Sequence, residues 1–106
     1  MSAIPFTYAA TGRIDASNAP SVEAELLAAI ETSGPALIID LSGLGYMSSA
    51  GLRVMLVAAK RAKAAGGKAV ILGAQPAVAE VLKMSGFDRI IPLTDSESAA
   101  RAHFGS

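Results

Sequence analysis

The chain has 106 residues, of which nine are Lys or Arg and nine Asp or Glu, and it contains no cysteine. That length suits one domain whose core buries roughly two thirds of the surface the unfolded chain exposes. The balanced charge gives no overall attraction to nucleic acid or to an anionic membrane, and the missing cysteines exclude disulfides, thiolate chemistry and cysteine–zinc sites.

No apolar run approaches the ~18 residues that cross a bilayer. Residues 1–10 lack the basic start of a signal peptide. The expectation is one soluble, cytoplasmic domain over residues 1–106, with no membrane insertion and no direct contact with nucleic acid.

In chain order, FTYAAT (6–11) has strand character and ends at Gly12. Asp15, Ser17, Asn18 and Pro20 make a polar segment that starts a helix. Val22, Leu26, Leu27 and Ile30 recur at helical spacing, which predicts a helix over 21–30 that Gly34-Pro35 stops. ALIIDL (36–41) reads as a buried strand. A glycine- and serine-containing loop follows it, and then a helix over about 49–65, with Leu52, Met55, Leu56 and Ala59 inward and Arg53, Lys60 and Lys63 towards solvent.

Gly66-Gly67 ends that helix, and KAVILG (68–73) is the next buried strand. Pro76 opens a helix to about Gly86, with Val78, Val81, Leu82 and Met84 inward. RIIPL (89–93) predicts a short edge strand, since Pro92 cannot donate to a central ladder. TDSESAARAHF (94–104) predicts a last helix capped by Thr94 or Asp95. The β-α-β-α-β-α-β-α order defines an α/β domain, with parallel strand pairs and crossover helices.

Several catalytic patterns are excluded by their details. Gly66-Gly67-Lys68 lacks the first glycine of a phosphate-binding loop, because position 62 is Ala62, and Ala69 replaces the hydroxyl residue after the lysine. The segment also leaves a helix and enters a strand, so no helix N-terminus faces a phosphate. Ser49 and Gly51 match half of a nucleophile elbow, but Met47 occupies its first glycine position. The one histidine, His103, has no evident carboxylate partner, and the aspartates are scattered without metal-ligand spacing. Lys60, Arg61 and Lys63 complement a helix C-terminus. We expect no catalytic residues, cofactor or metal.

The stretch GLGYMSSAGLR (43–53) remains. Ser48 or Ser49 suits a helix N-cap, worth about 1 kcal/mol. A hydroxyl at that place also accepts a phosphoryl group without wrecking the fold, because the added charge meets the positive end of the helix. A protein docked over that end would feel the charge instead.

In combination, TGRIDASNAPSVEAEL, LIIDLSGLGYMSSAGLRVMLVAAKRAKAAGGKAVILG and PAVAEVLKMSGFDRIIPLTDSESAA resemble the STAS domain, and specifically the small bacterial anti-sigma factor antagonists. The resemblance implies a mixed sheet of about four strands packed against about four helices. It also implies a partner switch. The unphosphorylated protein binds an anti-sigma serine kinase of the histidine-kinase-like ATPase fold, phosphorylation by that kinase ends the interaction, and a PP2C-type phosphatase resets it. By motif the acceptor is Ser49, with Ser48 ranked second, and the expected partner contacts are Asp15, Ser48, Ser49, Gly51 and Arg53.

The sequence departs from the family pattern at three places. Ser48 stands where aspartate is usual, and Ala50 replaces a common serine or threonine. The chain before Phe6 is short, so the family's first strand is expected to be curtailed or missing. Two other readings are a constitutive STAS scaffold subunit of a lipid-transport ABC complex, motivated by Ser48, and a small hydrolase using Ser49.

Overall fold

The computed structural model describes residues 4–105. The curtailed first strand expected before Phe6 falls largely on residues 1–3, which lie outside the described residues. The elements are β1 (Phe6–Ile14), α1 (Ala19–Ser33), β2 (Ala36–Met47), α2 (Ser49–Ala64), β3 (Lys68–Leu72), α3 (Pro76–Met84), a 3-10 turn (Phe87–Arg89), β4 (Leu93–Thr94) and α4 (Glu97–Ala102).

The four described strands form one sheet in the order β1-β2-β3-β4, and every pairing among them is parallel. One α/β domain with four strands in one sheet and four helices is what the resemblance implies, and the described part of the sheet is parallel throughout. The parallel pairing follows from connectivity, since each strand reaches its neighbour through a helical crossover.

Alternation along the strands divides the core between two faces. Leu37, Ile39 and Leu41 of β2 join Ala69 and Ile71 of β3 in the main cluster, with Leu26, Met55 and Leu82 from α1, α2 and α3. Ile38 and Val70 point the other way and are covered by Ala100 and Phe104 of the C-terminal segment. β2 over residues 36–41 and the middle of β3 are therefore buried on both faces, which is why they read as continuous apolar runs.

Four boundaries differ from the sequence expectation. β1 runs through Gly12 to Ile14, because Gly12 adopts φ +78° beside a register shift and is absorbed as an irregularity. β2 continues to Met47, so most of the expected loop is strand, with Leu44 and Met47 buried and Tyr46 outward. Of the predicted strand 89–93 only Leu93 is strand: Arg89 closes the 3-10 turn and residues 90–92 are irregular. Gly86 at φ +77° turns the chain, the N–H of Ile91 donates to the Phe87 carbonyl at 2.9 Å, and pairing begins only where the N–H of Ile71 donates to the Pro92 carbonyl at 2.9 Å. α4 is capped by Ser96, whose Oγ accepts from the Ala99 N–H at 3.1 Å, while the Thr94 hydroxyl bonds the Ile71 carbonyl at 2.7 Å. Met84, expected inward, is 79% exposed at the last position of α3.

Candidate functional site

β1 and β2 are parallel neighbours, so the loops that follow them open at the same edge of the sheet. Ile14 pairs with Met47, and the Ser48 N–H donates to the Ile14 carbonyl at 2.9 Å. The β1–α1 turn carrying Asp15 is thereby joined to the start of α2 carrying Ser48 and Ser49.

The turn is ordered by its own side chains. The Asn18 Oδ1 accepts from the Asp15 N–H at 2.9 Å, and its Nδ2 donates to the Arg13 carbonyl at 2.8 Å. The Asp15 Oδ1 accepts from the N–H of Ser17 at 2.9 Å and from its hydroxyl at 2.5 Å. The Arg13 Nε sits 2.9 Å from the Asp15 Oδ2, and the guanidinium carbon lies 5.2 Å from the centroid of the half-exposed Tyr46 ring. An ion pair this exposed adds little stability. Its effect is to fix the direction of the carboxylate and the ring on one surface.

The Ser17 hydroxyl and N–H, helped by the Arg13 charge, hold the Asp15 carboxyl below its ordinary value. A depressed folded-state value means that the stabilisation is present above the unfolded value and is lost as pH falls through the folded one. Acidification from neutral pH should therefore cost the wild type more stability than it costs Asp15→Asn. Denaturant melts at matched pH values check this, and equal losses would contradict it.

Of the two serines, Ser48 is the cap. It is extended, at φ −84° and ψ 176°, and its Oγ accepts from the Gly51 N–H at a long 3.4 Å. Ser49 is the first helical residue, and it is exposed. Its hydroxyl has no hydrogen-bond partner among the described residues. The N–H groups of the first helical turn have no carbonyl partners within the helix, so this end is electropositive. Arg53 is exposed one turn along α2, and it lines a shallow groove of about 310 Å³ shared with Ala16, Ala50 and Glu23.

Asp15, Ser48, Ser49 and Arg53 thus gather at one end of the domain. Gly51 does not share that surface, because it is buried. A Cβ built there would lie 2.7 Å from the Met47 Cγ and 3.1 Å from the Ile14 Cγ2. The close approach that glycine permits is between α2 and its own sheet. Gly51→Ala should cost overpacking of about 2 kcal/mol, against which the better helix propensity of alanine returns about 1. The expected net loss of about 1 kcal/mol appears as a Tm roughly 5 °C lower; an unchanged or higher Tm would contradict the packing role.

Arg13 and Tyr46 were absent from the sequence candidates, because only the β1–β2 register brings them together. His103 is exposed after α4 and lies outside this constellation. Among the described residues, no group of three or more His, Cys, Asp or Glu is placed to hold a metal, and no helix is long and apolar enough to cross a membrane.

One sheet of parallel strands with helices alternating along the chain makes this a single α/β domain. The STAS domain family model matches residues 3–100, and the chain belongs to that family. It is 41% identical over 93 residues to BtrV of Bordetella bronchiseptica, a protein assigned as an anti-sigma factor antagonist, covering 88% of this chain and 80% of that one.

The fold is that of an anti-sigma factor antagonist homologue from Thermotoga maritima (TM-score 0.89, 18% identity), covering 96% of this chain and 88% of that one. It also matches SpoIIAA, a Bacillus cell-fate determinant solved in two forms. The unphosphorylated anti-sigma factor antagonist gives TM-score 0.77 at 22% identity, over 91% of this chain and 84% of that one. The phosphorylated form gives 0.70 at 21%, over 91% and 86%.

Proposed function

We propose that this protein is an anti-sigma factor antagonist that works as a partner switch in the cytoplasm, with Ser49 as the phosphorylated residue. The observation that carries the reading is the placement of Ser49: an exposed hydroxyl on the first turn of α2, beside the ordered Asp15 turn. The name given to BtrV and the phosphorylated form of SpoIIAA support it.

Unphosphorylated, the surface formed by Asp15, Ser48, Ser49 and Arg53 docks an anti-sigma serine kinase of the histidine-kinase-like ATPase fold. That kinase transfers the γ-phosphoryl group of ATP to the Ser49 oxygen, breaking the bond to the β-phosphate so that ADP leaves and the hydroxyl proton is released. The product carries about two negative charges. These sit against the positive end of α2, and Arg53 is placed four residues on to share them. The folded state therefore tolerates the modification while the docked partner does not, because a strongly hydrated dianion now lies in the contact surface. A PP2C-type phosphatase restores the hydroxyl. The protein itself contributes no acid–base machinery and acts as substrate and ligand.

Affinity capture from the native host tests the reading, using wild type and Ser49→Asp as baits and mass spectrometry for identification. Recovery of a serine kinase by wild type alone is the expected result. A transporter ATPase recovered equally by both baits would overturn it in favour of a constitutive scaffold.

A further inference from the structure

The last residues of β1 and β2 divide between the two faces of the sheet. Ile14 and Met47 pair across the ladder and enter the main core cluster, on the face that carries α1 and α2. Side chains alternate along a strand, so their predecessors Arg13 and Tyr46, which also pair, stand on the opposite face. The C-terminal segment covers that face over Ile38 and Val70, well before the end of β2, and Tyr46 is left 50% exposed.

A single exposed ring calls for no explanation. The support given to this one does. The Arg13 guanidinium carbon lies 5.2 Å from the ring centroid, the Arg13 Nε is 2.9 Å from the Asp15 Oδ2, and the Asp15 Oδ1 accepts from the Ser17 N–H at 2.9 Å. The ring is thus tied to the same turn that stands beside Ser49. Contacts this exposed add little to stability, and their effect is to limit the rotamers of the ring before any partner arrives. A side chain ordered in advance loses little entropy on binding, and tyrosine and arginine are among the types that dominate binding energy at protein interfaces. Tyr46 precedes Ser49 by three residues, so their Cα atoms lie at most about 11 Å apart. Both fall within one interface of ordinary size, about 800 Å² a side.

We propose that Tyr46 is the aromatic anchor of the kinase-docking surface and fills an apolar pocket of the kinase. Arg13 is a positioning residue: it holds the ring, and because its ion pair with Asp15 runs through Nε, its terminal N–H groups can meet a carboxylate at the rim of that pocket. The inference rests on the partner-switch reading and adds what the kinase recognises besides the acceptor, a fixed ring on the far face of the sheet. A partner that grips only the start of α2 would respond to charge at Ser49 and be indifferent to residue 46.

The test is a calorimetric titration of the serine kinase recovered from the native host with wild type, Tyr46→Thr, Tyr46→Phe and Ile90→Thr. Threonine keeps the strand preference of the position, and thermal melts establish that each variant is folded. Tyr46→Thr should bind about 30-fold more weakly, the loss that marks a central anchor. Tyr46→Phe keeps the ring and should stay within about threefold of wild type, the worth of one ordinary hydrogen bond. Ile90→Thr removes an exposed apolar side chain beyond the 3-10 turn and should bind as wild type. In initial rates of phosphorylation the Tyr46→Thr loss should fall on KM with kcat unchanged, because the ring does not touch the accepting oxygen. Arg13→Gln should weaken binding about tenfold in the wild-type background and no more than about threefold in the Tyr46→Thr background, since residues that act through one another are not additive.

Wild-type affinity in Tyr46→Thr, an equal loss in Ile90→Thr, or a loss confined to kcat would overturn the anchor alone. The same factor for Arg13→Gln in both backgrounds would overturn its positioning role. Failure of wild type to bind any serine kinase of the host would overturn the partner-switch reading and the anchor with it.

Discussion

Ser49→Asp should melt within about 1 kcal/mol of the wild type, and in the stabilising direction, because a carboxylate in the first turn of a helix gains from the dipole. The same substitution should weaken kinase binding by about 100-fold, equivalent to about 2.8 kcal/mol. The two effects differ because they concern different neighbours. Within the fold, position 49 meets free N–H groups and has Arg53 one turn along; in the complex it must be stripped of water against another protein, where an unpaired charge costs several kcal/mol. Calorimetric titration and a thermal melt on one preparation read both quantities. Unfolding, or full retention of affinity, would contradict the tolerance of charge in the fold and its rejection in the complex.

Gly67→Ala should be the most damaging single methyl group that can be added to the fold. A Cβ there would stand 2.3 Å from the Pro35 carbonyl oxygen and 2.7 Å from its ring Cβ. Neither can swing aside, since one is backbone and the other belongs to a closed ring. The Pro35 carbonyl is further held by the Lys68 N–H at 3.0 Å. Relieving the clash requires the α2–β3 and α1–β2 connections to part, at about 3 kcal/mol or more, read as a Tm loss of roughly 15 °C.

The neighbouring Gly66 supplies the contrast. It adopts φ +95° with open space around its Cα, and it ends α2 by donating to the Lys63 carbonyl at 3.0 Å while Gly67 donates to Ala62 at 2.9 Å. Gly66→Ala costs only the left-handed strain of about 1–2 kcal/mol. Equal losses for the two variants would contradict the steric reading of Gly67.

Helices α1 and α2 were legible in the sequence because each carries a recurrent apolar stripe and a stop: Val22, Leu26 and Ile30 before Gly34, and Met55 and Ala59 before Gly66. The first half of β2 and the middle of β3 were legible as unbroken apolar runs, since both of their faces are buried there. What local pattern could not reveal is where a strand tolerates glycine. Gly12, Gly43 and Gly45 read as breaks, yet Gly43 stays in β2 where a Cβ would press on the Thr11 side chain at 2.9 Å, a cross-strand requirement visible only once β1 is paired.

The site divides in the same way. Ser48, Ser49 and Asp15 stood out by residue type and motif. The contact of Arg13 with both Asp15 and Tyr46 depends on register. Gly51 was expected among the partner contacts, but it is buried, and the close approach it permits is with its own sheet.

The most direct measurement is phosphosite mapping by intact mass and peptide fragmentation, after incubating wild type, Ser49→Ala and Ser48→Ala with the kinase recovered from the host and ATP. One phosphoryl group on wild type and on Ser48→Ala, at Ser49 in each, and none on Ser49→Ala is the predicted result. Full-rate modification of Ser49→Ala, or a phosphoryl group carried by Ser48 in the wild type, would contradict Ser49 as the switch.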